Sequence, residues 1–311
     1  MKESSETPLP GGRSATGRGI LLILAGTVTG STVPVVSKAV METVPSIHFS
    51  TLWMALSLFY TSLLMARSGL RRSAGALVPH WKLLLPCGIA ASVWVFFAFQ
   101  GLARLDPTVA TFIINSRMVW AVAVGFLFLG ERYAPVEVIG IATIAVGVVL
   151  VFWEERRIGD VTGALFMVVS SVGYVVTSLF AKRLVARSGV LAALVARFLF
   201  PLLAFIPLSV VRGGFFDVMT WRIVLLMVGG AFVGPFLSFH LMYSALRYLH
   251  LGVQTVFQSV SVVMTGILSF LALGAIPTTN ALIGGGVLIA GMVVLGVGAV
   301  GKSSPGSTAA G

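Results

Sequence analysis

Charge is what this chain most lacks. Only 10% of its 311 residues are Asp, Glu, Lys or Arg, against about a quarter in a water-soluble domain. With 57% hydrophobic residues and a mean hydropathy of +1.02, a water-soluble fold has too little polar surface to cover itself. Cysteine is nearly absent too: Cys87 stands alone in an apolar run, so neither an intrachain disulfide nor a cysteine metal cluster is available. No Asp or Glu sits in the middle of an apolar run. That argues against paired catalytic carboxylates and against a cation pump that exchanges protons on a buried Glu. No cofactor and no metal is implied. A cleavable signal peptide is not expected either, because the first apolar run is too long and no small-residue cleavage site follows it.

What is present is a succession of apolar runs, each long enough to cross a hydrocarbon layer about 30 Å thick. The expected spans are 19–41, 47–66, 82–102, 108–129, 135–153, 161–182, 190–211, 221–246, 252–273 and 279–300. They are flanked by polar tails at 1–18 and 301–311 that read as flexible. The fold class is therefore all-α integral membrane with ten transmembrane helices. The net charge of +11 lies mostly in short loops, where it sets orientation and meets anionic headgroups rather than nucleic acid. Alternate loops and the two tails collect thirteen basic residues on the side that carries Arg67, Arg71, Arg72, Lys182, Arg183 and Arg187, against six on the other. The positive-inside rule then puts both termini in the cytoplasm, and a multi-pass plasma-membrane protein is expected. The expected partners are a small-molecule substrate and the lipid bilayer, with a homodimer open.

Sliding the chain against itself by the separation of Gly19 from Gly163, which is 144 residues, also aligns Lys38 with Lys182 and Leu102 with Leu246. Leu105 meets Leu249, Thr111 meets Thr255, and Gly130, Ile139, Gly140 and Gly147 meet Gly274, Ile283, Gly284 and Gly291. The repeats would be 19–153 and 161–300, five spans each. An odd number of spans makes the second repeat enter the membrane from the opposite side, the inverted architecture of many secondary transporters.

The segment from Gly101 to Val151 resembles the second part of the EamA-type repeat of the drug/metabolite transporter superfamily. The resemblance rests on the short loop before the fourth span, on Leu129–Gly130–Glu131–Arg132, and on Gly140 and Gly147. The second copy keeps the glycines but has Ala275 where the first has Glu131. Lys38 and Lys182 match the lysine that closes the first helix of each family repeat. The resemblance implies ten helices, a central cavity lined mainly by spans 1, 3, 4, 6, 8 and 9, and transport by alternating access. It does not choose a substrate.

Arg117 is the sharpest chemical signal, because a charge in mid-span costs at least about 2.5 kcal/mol and normally faces a cavity or a partner. It reads either as an anchor for a carboxylate or phosphate or as a structural residue reaching water or backbone carbonyls. Its counterpart in the second repeat, Ser261, belongs to a polar stripe with Gln254, Gln258 and Thr265, which lines a cavity or joins helices. His240 with Tyr243, and Ser171 with Tyr174 and Ser178, share helical faces. Either group would complete a pocket with Trp94, Gln100, Asn115 and Trp120. His240 is a candidate proton relay, although a lone membrane histidine more often makes a structural hydrogen bond. Arg197 is close enough to a predicted span end to snorkel and is read as structural. Pro34, Pro201, Pro207 and Pro235 should kink their spans.

Gly296, Gly301, Lys302 and Ser303 satisfy P-loop spacing, and Gly296, Gly298 and Gly301 satisfy dinucleotide spacing. Both motifs need a preceding strand, so they are set aside here. The Gly26–Gly30 and Gly230–Gly234 spacings allow close helix approach, inside the bundle or at a dimer face. The expected function is a secondary transporter of a small metabolite, amino-acid-like or anionic, with export as the default. A lipid-linked carrier of the same fold is the alternative, and a polytopic membrane enzyme lies behind both.

Overall fold

The computed structural model describes residues 13–67, 78–129, 134–158, 160–215, 217, 219–249, 254, 257–258, 260–274 and 279–303. Leu129 ends a described helix, but the Gly130–Glu131–Arg132 part of its motif lies outside the described residues. Among those residues the chain is all-helical. The first span is built by α1 (Arg13–Gly30) and α2 (Thr32–Met41), the second by α3 (Ser46–Arg67), and the third by α4 (Trp81–Arg104) after a short 3-10 turn. Next come α5 (Pro107–Ile114), α6 (Arg117–Leu129) and α7 (Pro135–Ile158). The second half has α8 (Val161–Ser188), α9 (Val190–Arg212), α10 (Trp221–Ala231), a π-helical segment (Phe232–Leu237), α11 (Ser238–Ala245), α12 (Val260–Leu273) and α13 (Thr279–Ser303).

Among the described residues, six segments are long and apolar enough to cross a membrane: 17–41, 46–67, 81–104, 161–188, 190–212 and 221–245. Three shorter apolar helices, within α7, α12 and α13, accompany them. The bundle exposes large apolar side chains and buries hydroxyls within an apolar core. Val211, Trp221 and Leu271 are 88%, 75% and 72% exposed, whereas Ser57, Thr61, Ser170 and Ser171 are fully buried. Only a hydrocarbon solvent makes that arrangement favourable. Many buried hydroxyls spend their protons on their own helices, as Ser57 and Thr61 do by donating to the carbonyls of Trp53 and Ser57.

Three expected spans are interrupted, each for a local reason. Between α1 and α2, Pro34 has no N–H for the Gly30 carbonyl, and the Ser31 hydroxyl donates to the Thr27 carbonyl. Between α5 and α6, Asn115 and Ser116 form a turn immediately before Arg117. Pro235 sits inside the π-helical segment, where a widened turn accommodates its ring. Helix starts are capped by Asp106, Asp160 and Thr220, which accept from the amides of Thr108, Gly163 and Ile223. Gly189, at φ 85°, lets α8 turn directly into α9.

The 144-residue offset reappears as a symmetry of contacts. A methyl group on Gly140 would meet the Leu295 amide, and one on Gly284 would meet Val151. Likewise Gly147 abuts Leu288, and Gly291 abuts Ile144. Each pair is the other shifted by one repeat and exchanged, so α7 and α13 touch through a shared axis and run antiparallel. The rule extends further. Gly19 packs on Leu249 as Gly163 packs on Leu105, and Gly26 lies against the Ser238 carbonyl where the Ser170 hydroxyl donates to the Trp94 carbonyl. Helices α3 and α9 are also equivalent and antiparallel, since His48 meets Ser209 while Thr51 meets the Phe205 carbonyl.

Candidate functional site

Between the repeats lies a cavity of about 160 Å³. Its walls come from the segments expected as spans 1, 3, 4, 6, 8 and 9: Thr27 to Pro34 on α1 and α2, Trp94 to Leu102 on α4, Ala110 to Arg117 on α5 and α6, Met167 and Tyr174 on α8, Ser238 to Met242 on α11, and Gln258, Ser261 and Thr265 at and before α12. This is the set of spans that the family resemblance implied. A second cavity of about 40 Å³ has Ser178, Tyr243, Leu246, Gln254 and Ala121 in its wall. Arg117, Tyr174, Met242 and Gln258 line both. They form the partition between a larger chamber, towards the end of the bundle that holds Arg104 and Asp160, and a smaller one towards the Gly189 end.

Arg117 opens α6, and its position follows from the turn before it. Asn115 is fully buried; its side-chain amide donates to the Thr111 carbonyl at 2.7 Å, and its Oδ1 accepts from Arg117 Nη2 at 3.2 Å. The neighbouring Ser116 hydroxyl bonds that of Ser171 at 2.8 Å, which ties the turn to α8. The Arg117 guanidinium stacks over Tyr174, 4.7 Å from the ring centroid, and its Nε has no hydrogen-bond partner. Among the described residues no carboxylate lines either cavity. A cation held in an apolar chamber with a free donor attracts an acceptor of negative charge.

Of the residues singled out from sequence, Arg117, Trp94, Tyr174, Gln258 and Ser261 line the larger chamber, and Ser178, Tyr243 and Gln254 join the smaller. Asn115 stands behind Arg117. His240 and Trp120 line neither; the His240 ring stacks on Phe236, with centroids 6.2 Å apart, and its Nδ1 is unpartnered. Gln100 accepts from Ser46 away from the chambers. Gly26 and Gly30 face Ser238 and Met242, and Gly230 and Gly234 face Trp53, Val33 and Val36. Both close-approach motifs thus pack inside the bundle.

Arg197 corrects the sequence reading. It does not snorkel: it is 1% exposed. Its guanidinium carbon lies 3.2 Å from the Phe239 ring centroid and 4.6 Å from that of Trp94, with Tyr174 at 5.8 Å and Tyr243 at 5.9 Å. Nη1 donates to the Tyr243 hydroxyl at 3.0 Å, and Nη2 has no partner. Trp94, Tyr174 and Phe239 therefore line the larger chamber and also pack on a buried cation. Sequence spacing misses this because the cage is drawn from α4, α8 and α11. It also misses Thr27, Ser238 and Met242, which reach the chamber only through the close approach of α1 to α11.

At the rim, Arg104 and Asp160 form an exposed ion pair at 2.7 Å. The Arg104 hydrogen bond, aided by the Gly163 amide, holds the Asp160 carboxyl below its ordinary range. Beside it, Lys38 Nζ donates to the carbonyls of Ala103 and Leu102, closing the end of α4.

A bundle with a lipid-compatible exterior, two symmetry-related repeats and a chamber between them defines a multi-pass membrane protein built to hold a solute at its centre. The chain belongs to the EamA-like transporter family, whose sequence pattern matches residues 17–153 and again 161–297. It is thus a membrane transporter of the drug/metabolite superfamily. Among the solved structures of similar fold, one crystal structure described only as that of a protein superposes with a TM-score of 0.64. It covers 94% of this chain and 99% of the other at 20% sequence identity. No curated protein matches the chain in sequence.

Proposed function

We propose that this protein is a secondary transporter for a small organic anion or amino-acid-like metabolite, working by alternating access. Ten spans, with both termini cytoplasmic, place the two repeats in the membrane in opposite senses. Rocking of one repeat against the other then exposes a central solute to each face in turn. The larger chamber lies towards the predicted outside and the smaller towards the cytoplasm, with Arg117 and Tyr174 between them. The observation that carries the reading is the cavity itself: segments from both repeats converge on a chamber in which, among the described residues, Arg117 is the one lining cation, with a free Nε and no carboxylate beside it. Arg117 holds the solute's negative group. Trp94 and Tyr174 pack on its apolar part, and Gln254, Gln258 and Ser261 supply hydrogen bonds. Export from the cell is the expected direction.

The test is thermal stabilisation of the purified protein by amino acids, carboxylates, phosphate esters and hydrophobic cations, in wild type and Arg117→Ala. Stabilisation by anions or amino acids that disappears in Arg117→Ala supports the assignment. Stabilisation by cations alone, or an unchanged response in the variant, overturns it.

A further inference from the structure

The mechanism proposed above leaves Arg197 unused, yet it is a buried cation with an unpartnered nitrogen. A buried cation needs a counter-charge or a full set of acceptors. Arg197 has one neutral hydroxyl and four aromatic faces. Aromatic faces attract a guanidinium but accept none of its N–H bonds in the way an oxygen does. The unpartnered nitrogens nearby are donors: Nη2 of Arg197, Nε of Arg117 and Nε1 of Trp94, an aromatic neighbour of Arg197, with the Ser238 hydroxyl the one unpartnered buried oxygen among the described lining residues of that chamber. The site has an excess of N–H groups and a deficit of acceptors, the complement of a carboxylate or phosphate. Both arginines also rest on one ring, that of Tyr174, from which their guanidinium carbons lie 4.7 and 5.8 Å. One anionic group moving a short way past Tyr174 passes from the first to the second.

We infer that Arg197 is a second anion-binding residue, occluded in this conformation, which takes the solute's carboxylate or phosphate group from Arg117 as the smaller chamber opens. Tyr243 is the element that yields: it lines that chamber and holds Arg197 Nη1 through its hydroxyl. Turning Tyr243 aside exposes two N–H donors on one edge of the guanidinium, the fork a carboxylate accepts. The inference rests on the anion-transport reading.

The experiment uses the purified full chain in detergent at constant ionic strength, titrated with acetate, benzoate, L-glutamate and inorganic phosphate while melting temperature is read. The variants are Arg197→Met, Arg197→Lys and Arg117→Ala. Without anion, Arg197→Met melts at or above the wild-type temperature, since it removes an uncompensated buried charge. Its half-saturating anion concentration rises about tenfold to hundredfold, as loss of charge-assisted bonds requires. Arg197→Lys keeps the charge but loses the fork, and shifts about tenfold. If either Arg197 variant keeps the wild-type half-saturation, Arg197 is structural and the inference fails, whatever Arg117→Ala does. If wild type itself responds to none of the four anions, the transport reading fails and takes this inference with it.

Discussion

At matched positions the two repeats share their helix-to-helix contacts and differ in the side chains they place there. Gly30 faces Ser238 in one half; one repeat further on, Tyr174 faces Trp94, with ring centroids 5.4 Å apart. Trp53, fully buried against α10, is matched by Arg197, and Phe99 by Tyr243. Arg117 is matched by Ser261 across the same chamber. The small pair leaves space and the large pair builds a wall, so a symmetric scaffold encloses an asymmetric chamber with all its cationic and most of its aromatic character on one side. Packing of the helices follows the symmetry. The chemistry departs from it.

The largest effect expected from breaking the symmetric part is at the α7–α13 contact. A Cβ on Gly147 would lie 2.6 Å from the Leu288 amide nitrogen, backbone that has nowhere to go. Gly147→Val should cost about 3 kcal/mol or prevent folding, whereas Gly286→Ala, with nothing within 4 Å, should leave denaturant midpoints unchanged. Equal effects would show that the pair does not hold the repeats together. Next comes restoring symmetry at the chamber. Ser238→Trp copies the Trp94 side chain into the other half and fills the space beside Gly30; the protein should keep its melting temperature within a few degrees and lose solute-dependent stabilisation. Retained stabilisation would place the solute elsewhere.

The smallest effect lies at the rim. Arg104→Ala removes the partner that depresses the Asp160 pKa, so its cost to stability should be present above the ordinary aspartate value of 3.8. That cost should vanish as pH falls through the depressed value, where wild type also loses the pair. A difference between the two proteins that persists in acid would assign Arg104 another role, such as its contact with the Phe166 ring.

Periodicity and self-alignment made the repeat offset and the membrane-spanning character legible, because backbone symmetry demands small residues at fixed places. Gly140, Gly147, Gly284 and Gly291 are recognisable in sequence for the reason that they matter in structure: helices touch there. Arg117 was legible because a lone charge in an apolar run has few innocent explanations. Arg197 was not, since its distance from a span end fits snorkelling, and the rings that enclose it lie 40 or more positions away, or 20 or more in the opposite direction, along the chain. The break before Arg117 was invisible for a related cause. Asn115 and Ser116 are tolerable inside a helix, and only the bonds to Thr111 and Ser171 settle them as a turn.

The central claim is that two chambers divided by Arg117 and Tyr174 form one passage open to each face in turn. Cys87 is the sole cysteine, so a Cys87→Ser background permits single thiols at Ser261, in the larger chamber, and at Ser178, in the smaller. Labelling of vesicle-reconstituted Ser261→Cys and Ser178→Cys with a membrane-impermeant thiol reagent tests the claim directly. The account predicts modification of the two from opposite faces, with saturating transported solute raising one rate as it lowers the other. Modification of both from the same face, or rates indifferent to solute, would contradict it.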